Sequence, residues 1–396
     1  MRCETVKLSQ VCDLVAGFAF KSKDFGDYPD KVIKITHIIP PSVDMDNLSG
    51  VDIERYNKKK LQKYLVQEGD FVFAMTGATI GKIGRLRNGT AYINQRVLTF
   101  RNTSRIDKDY LYYVLLQKKF YQYVLSHIDS ESAQPNVSAG TIGDYEFILP
   151  DMASQKKIAS ILKSLDDKIT VNQRINDNLQ QQVQALYRSM FVDTNNSART
   201  TCRADEIFDI SIGKTPPRKE PQWFSNDPHD RIWVSISDMG NCGLYISDSS
   251  EYLTEEAVSR HGVKVVPDNT VLLSFKLTVG RVAISDGEVT TNEAIAHFKT
   301  NRPEYTEYLY CYLKAFNYQT MGSTSSIATA VNSKIIKAMP FIVPTDDEIR
   351  AFHDFAASTF SKVKSLQQET QRLAEMRDVL LPKLMSGEIE VSDVQI

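Results

Sequence analysis

The sequence predicts an α/β (mixed α+β) protein built as a tandem. Two globular units are joined by two long helices that form an antiparallel coiled coil, and the whole carries a pseudo-twofold internal repeat. Three observations predict this. Ordered motifs recur once along the 396 residues, at a spacing of about half the chain. Two uninterrupted stretches carry matched apolar seams at spacings of 3 and 4. The segments between them read as short strands and aromatic-rich helices.

The repeat consists of four pairs in order. FVFAMTGATIGKIGRL (71–86) answers VLLSFKLTVGRVAIS (271–285), with Gly81-Lys82-Ile83 over Gly280-Arg281-Val282. AYINQRVLTF (91–100) answers VTTNEAIAHF (289–298), with Asn94 over Asn292. DYLYYVLLQKKF (109–120) answers EYLYCYLKAF (307–316), and FILP (147–150) answers FIVP (341–344). The offset drifts only from about 198 to 194. Strands are expected at Lys31–Thr36, Phe71–Met75, Tyr92–Phe100, Ile232–Ile236, Val271–Phe275 and Ala294–Phe298, and helices at Asp109–Ser126 and Tyr305–Asn317.

After each LP or VP comes a long helix. In the first, Ile158, Leu162, Leu165, Ile169, Asn172, Asn176, Leu179, Val183, Leu186 and Met190 make a heptad seam. Adding 194 gives the second: Phe352, Ala356, Thr359, Val363, Leu366, Thr370, Leu373, Arg377, Leu380 and Leu384. No Pro or Gly interrupts 153–192 or 345–381, and Pro382 and Gly387 mark the end of the second helix. At 1.5 Å per residue each helix spans ~50 Å. Asn172 and Asn176 either sit in the seam and fix its register, or flank it while Ile175 turns inward. Matched seams with large domains between them imply an antiparallel pair with a globular unit at each end. The organisation is 1–150, first unit; 151–192, helix; 193–200, linker (193–201 is polar and turn-prone); 201–344, second unit; 345–387, helix; 388–396, tail.

Composition excludes several classes. The chain is 42% hydrophobic with a net charge of -2, so it is not a globally basic nucleic-acid coat. Residues 1–150 are net +3 and 193–344 net -3, so the first half is the better match to a polyanion. No apolar run reaches the ~18 residues of a membrane span. The first residues lack a signal-peptide pattern. Five scattered cysteines without CxxC argue against a disulfide framework and for a reducing, cytoplasmic setting.

The catalytic motifs are missing. GATIGK (77–82) has one residue too few for a phosphate loop and Ile83 where Ser or Thr is required, so it reads as a tight turn. Asp166 and Lys168 lie within a helix and read as a solvated face. HExxH, GxSxG and an amino-methyltransferase tetrapeptide are absent, and TPPR and IPPS do not replace the last. The six histidines have no metal-ligand spacing, so no metal site is expected.

What remains suits recognition. KSKDF (21–25), with Lys21 and Lys23, is a basic, aromatic-tipped loop. GKTPPRK (213–219), with Lys214 and Arg218, takes the equivalent place. Thr76, Lys82, Arg85, Asn94, Gln95 and Arg96 in the first unit, and Lys276, Arg281 and Asn292 in the second, are further candidates for DNA contact. SESAQPNVS (130–138), with Gln134 and Asn136, and GSTSSIATAVN (322–332) are matching polar loops. Lys and Arg reach phosphates, Arg pairs with guanine, and Asn or Gln pairs with adenine. Each segment alone is equally an ordinary solvated loop; their pairing makes the case.

Residues 149–191 resemble the central conserved region of type I restriction-modification specificity subunits. RDVLLPKLMSGEIEV (377–391) resembles that family's usual ending. GDFVFAMTGATIGKIG (69–84), INQRV (93–97) and AQPNVS (133–138) resemble its target-recognition domains. The resemblance covers nearly the whole chain. It implies a non-catalytic subunit whose two recognition domains each read one half of a split double-stranded DNA target. The helices would hold them at fixed separation and dock two methyltransferase subunits; a motor-nuclease subunit can join. No cofactor is implied in this chain, because S-adenosylmethionine belongs to the methyltransferase. Glu293, where the first unit has Gln95, departs from the pattern and weakens the DNA reading of the second unit. Alternatives that stay open are a coiled-coil scaffold, an inactive copy, and an enzyme acting alone, the last opposed by the missing motifs.

Overall fold

Phe71–Ala74, four apolar residues in a row, lies inside a six-stranded sheet, buried on both faces. The sheet runs Cys12–Ala16, Val97–Asn102, Phe71–Ala74, Ile83–Arg85, Ser42–Val43, Ile38–Ile39. In the second half Val271–Ser274 holds the same place: Asp209–Ile212, Ile295–Lys299, Val271–Ser274, Val282–Ser285, Tyr245–Ile246. Both sheets begin with three antiparallel pairings followed by one parallel pairing. A four-stranded sheet with one parallel pairing accompanies each. An antiparallel pair, Cys3–Lys7 with Glu146–Pro150 or Thr200–Arg203 with Pro340–Val343, completes each half. The sequence repeat is therefore a repeat of strand order.

The computed structural model describes residues 3–128, 135–194, 196–321 and 332–391. The chain divides into two compact units: Met1–Lys168 with Leu373–Ile396, and Ile169–Arg372. Each has its own core, so each long helix is shared between two cores. In the first unit Ile158, Leu162, Leu384 and Met385 are buried with Tyr110, Phe120 and Phe147. In the second, Val183, Tyr187, Phe191, Phe352, Phe360 and Val363 are buried with Tyr308 and Phe341.

The first helix runs Met152–Tyr187 and ends in a wider turn at Arg188–Val192; the second runs Asp346–Ser386. Within each unit the segments pack antiparallel. Lys157 Nζ meets Val391 O (3.3 Å) and Arg377 meets Asp166 (2.9 Å) in one. Asn172 meets Glu369 (2.9 Å) and Tyr187 meets Phe352 in the other. Asn172 and Asn176 are the buried seam residues, and Ile175 is exposed.

Several expectations need correction. Pro382 does not end the second helix: the helix continues to Ser386, and Gly387, at φ +76, ends it. A proline removes one N–H, and the surrounding turns keep the path. Asp166 is no solvated carboxylate, since it accepts from Tyr113 Oη (2.8 Å) and from Arg377. The expected strand Tyr92–Phe100 is two strands, Thr90–Ile93 and Val97–Asn102, broken by a turn in which Arg96 takes φ +71. The strand placed at Lys31–Thr36 ends at Ile33, and that at Ile232–Ile236 ends at Val234. The helix placed at Asp109–Ser126 breaks at Gln117, which is extended. Thr200 and Thr201 belong to a strand rather than to the linker.

Arg199 fixes that linker. Its guanidinium donates to the carbonyl of Phe191 (3.1 Å), orphaned in the last turn of the first helix, and to that of Thr194 (3.0 Å) just beyond it, and pairs with Glu348 (2.7 Å). The Arg199 hydrogen bond holds the Glu348 carboxyl down at about 2.

Candidate nucleic-acid interface

In the first unit three connections meet at one end of the large sheet. They are the hairpin loop 75–82, the turn 94–96 and the segment 135–138. Main-chain bonds knit them together: Met75 N to Arg96 O (2.9 Å), Val137 N to Met75 O (3.0 Å) and Gly77 N to Pro135 O (3.0 Å). Gln95 N donates to Phe18 O (2.9 Å), which ties the turn to the strand end leading into Lys21 and Lys23. The approach is close because Gly17 lacks a side chain, since a Cβ there would stand 2.1 Å from Asn94 O. Lys21, Lys23, Lys82, Gln95 and Arg96 are exposed along this cluster.

Other candidates are occupied within the protein. Thr76 is buried and its hydroxyl donates to Pro135 O (2.9 Å), so it anchors the 135–138 segment. Arg85 pairs with Asp109 (2.5 Å) and lies over the Tyr112 ring, with only 12% of its side chain exposed. It is a packing residue. Among the described residues, the side-chain oxygens of Asn94 and Asn136 are buried and meet no hydrogen-bond partner. Gln134 lies outside the described residues. Of KSKDF, Asp24 turns inward, where Tyr56 (2.5 Å) and Arg55 (2.9 Å) hold its carboxyl below the usual range.

The second unit repeats the arrangement with different side chains. Phe275 N donates to Ala294 O (2.9 Å), the counterpart of the Met75–Arg96 bond. Gly213 stands where Gly17 does, and a Cβ there would meet Asn292 O at 2.2 Å. Asn292 Oδ1 accepts from Ala294 N (3.0 Å), so Asn292 shapes the turn. Lys276 and Lys214 are exposed, the latter donating to His261 O (2.5 Å). Arg218 is stacked over Phe224 and Trp233 and paired with Glu251 (2.7 Å). Arg281 donates to Ile236 O (2.5 Å) and packs on Gly240, so it braces the hairpin from inside. Glu293 accepts the Thr215 hydroxyl. Of GSTSSIATAVN, only Asn332 is described, and it caps the helix Ser333–Lys337 as Ser138 caps Ala139–Gly143.

Residues 2–181 and 198–373 each match the type I restriction modification DNA specificity domain. The chain belongs to that family. It is 22% identical to the HindI specificity subunit of Haemophilus influenzae over 92% of this chain and 96% of that one. It is 24% identical to the MjaIX specificity subunit of Methanocaldococcus jannaschii over 74% and 73%. A solved type I S subunit from M. genitalium superposes with a TM-score of 0.58 at 14% identity, covering 97% and 96% of the two chains, and shares the fold.

The two specificity domains meet the resemblance read from the sequence, including the FILP and FIVP strands that precede each helix. Among the described residues no group of His, Cys, Asp and Glu could hold a metal ion, and no helix is long and apolar enough to cross a membrane. Sequence reasoning missed the brace formed by Arg281 and the packing of Arg85, because an arginine beside a glycine turn looks the same whether it faces solvent or a carboxylate. It also missed Leu277, whose signal was the loss of the first glycine of the hairpin loop.

Proposed function

We propose that this specificity subunit reads a split double-stranded DNA target, one half with each domain, and contributes no catalytic group of its own. The observation that carries this reading is the duplication of the recognition unit, with the same run of four strand pairings in each large sheet, once before each long helix. Two copies of one reader in a single chain suit two half-sites. In this reading Lys21, Lys23, Lys82 and Arg96 in the first unit, and Lys214, Arg218 and Lys276 in the second, supply phosphate and base contacts. Gln95 offers a bidentate partner for adenine. The helices set the half-site spacing and dock two methyltransferase subunits. The methyltransferase holds S-adenosylmethionine and transfers its methyl group to adenine. A motor-nuclease subunit completes a restriction complex. The setting is the cytoplasm.

The test is a single-molecule methylome of an unmethylated host expressing the cognate methyltransferase subunit with and without this chain. Adenine methylation at one split sequence, present only with the chain, supports the reading. A soluble, assembled complex that adds no methylation refutes it.

A further inference from the structure

We propose that Leu277 is an apolar base contact at the tip of the second unit's hairpin, presented to the half-site that unit reads. This rests on the specificity reading above. Leu277 is 98% exposed and takes φ +59, a left-handed conformation costly for a leucine. The corresponding residue of the first unit is Gly77, at φ +68, which meets the same geometry without a side chain. The second unit thus keeps the demanding backbone and adds a large apolar group that stands almost wholly in solvent. Both features disfavour the free state, so any advantage of the leucine lies in a bound one.

The loop is built to hold this tip outward. Ser274, fully buried, donates its hydroxyl to Thr278 O (2.6 Å) and accepts from Arg281 N (3.0 Å). Gly280 N closes the turn onto Ser274 O (3.0 Å). Arg281 braces the hairpin through Ile236, and Lys276, exposed beside the tip, supplies a cation for the adjoining phosphate. An apolar side chain flanked by a cation suits DNA. It packs on a thymine methyl in the major groove or wedges between base pairs in the minor groove.

The test uses the complex with the methyltransferase subunit, comparing wild type, L277A and L277G. The methylome of the wild type supplies the target duplex. The expected result is that both variants bind that duplex about 10-fold more weakly and lose discrimination in one half-site alone. L277G also unfolds at no lower temperature than wild type. Uridine in place of thymine lowers wild-type affinity if the contact is to the methyl group. 2-Aminopurine brightening that disappears in L277A marks insertion instead. Either supports the proposal. Variants that bind and methylate as wild type does overturn it. So do variants that assemble less readily with the methyltransferase but bind DNA normally once assembled. A wild-type complex that marks no split sequence overturns the specificity reading itself, and this proposal with it.

Discussion

The two units share strand order, hairpin, turn and closing helix, yet they fill those places differently. Position for position, the first unit has Thr99 where the second has His297, Gln155 where it has Ile349, and Leu381 and Met385 where it has Tyr187 and Phe191. In the first unit, buried Gln155 binds the Pro150 carbonyl (2.8 Å) and the Asp107 N–H (2.8 Å), and a groove of about 750 Å³ opens beside Tyr145, Leu381 and Met385. In the second unit the rings of Tyr187, Phe191, Tyr308 and Phe352 stand edge-on or tilted at centroid distances of 4.8 to 6.5 Å. The backbone fixes the framework; the choice of polar staple or aromatic cluster is free as long as volume and hydrogen bonds are satisfied.

Core truncation breaks the comparison most strongly. F191A removes a ring from the aromatic cluster and should cost about 3–5 kcal/mol. M385A, at the matching place beside an open groove, should cost about 2–3 kcal/mol. Denaturant midpoints measured on both variants check the order, and equal losses would contradict the packing contrast.

Acid separates the units next. His297 is fully buried between Ser211 Oγ (3.0 Å) and Thr291 Oγ1 (2.7 Å), and burial pushes its imidazole down to about 3. The unfolded chain takes up that proton near 6.5, so stability is complete above this pH and falls as pH drops from 6.5 toward 3. At pH 5 the loss is about 2 kcal/mol. Thr99 in the first unit does not titrate. Unfolding of wild type and H297T at pH 7.5 and pH 5 should therefore show a pH slope reduced by about that amount in the variant. Glu348 adds a lower window in the second unit, its contribution being lost as pH falls from about 4.5 toward about 2.

A smaller effect concerns the hairpin turns. Among the described residues, its chain neighbours apart, none comes within 4 Å of a Cβ added at Gly77, so G77A isolates the backbone term, and about 1 kcal/mol of destabilisation is expected by thermal unfolding. The smallest effect is electrostatic. E293Q removes a negative charge from the turn that matches Gln95, and Q95E adds one to the first unit. DNA affinity should rise about 2- to 5-fold in the former and fall by a similar factor in the latter, both fading as salt increases. Filter binding at two salt concentrations distinguishes this from a change in base preference.

Much of this plan is legible in the sequence because it depends on periodicity. The paired motifs locate the strand repeat, and the 3–4 spacing places both helices. Periodicity runs out where a helix packs on more than its partner. Tyr187 and Phe191 lie off the coil seam that names Leu186 and Met190, yet they are the buried pair, because that end of the helix also faces a domain core. Pro382 misleads for a related reason, since burial of Leu384 and Met385 beyond it holds the last turn in place. At the interface, exposure of Lys82 and Gln95 follows from turn chemistry. The fate of Arg85 depends on Asp109, 24 residues on, and no local pattern reports it.

The division of the chain has a consequence for biosynthesis. The second unit is one continuous stretch that is complete once Arg372 has left the ribosome. The first unit, although most of it emerges earlier, borrows Leu384, Met385 and Val391 for its core and cannot close before they arrive. The half translated first is thus finished last, and a released chain truncated after Arg372 would carry one complete reader and one with its apolar flank still open.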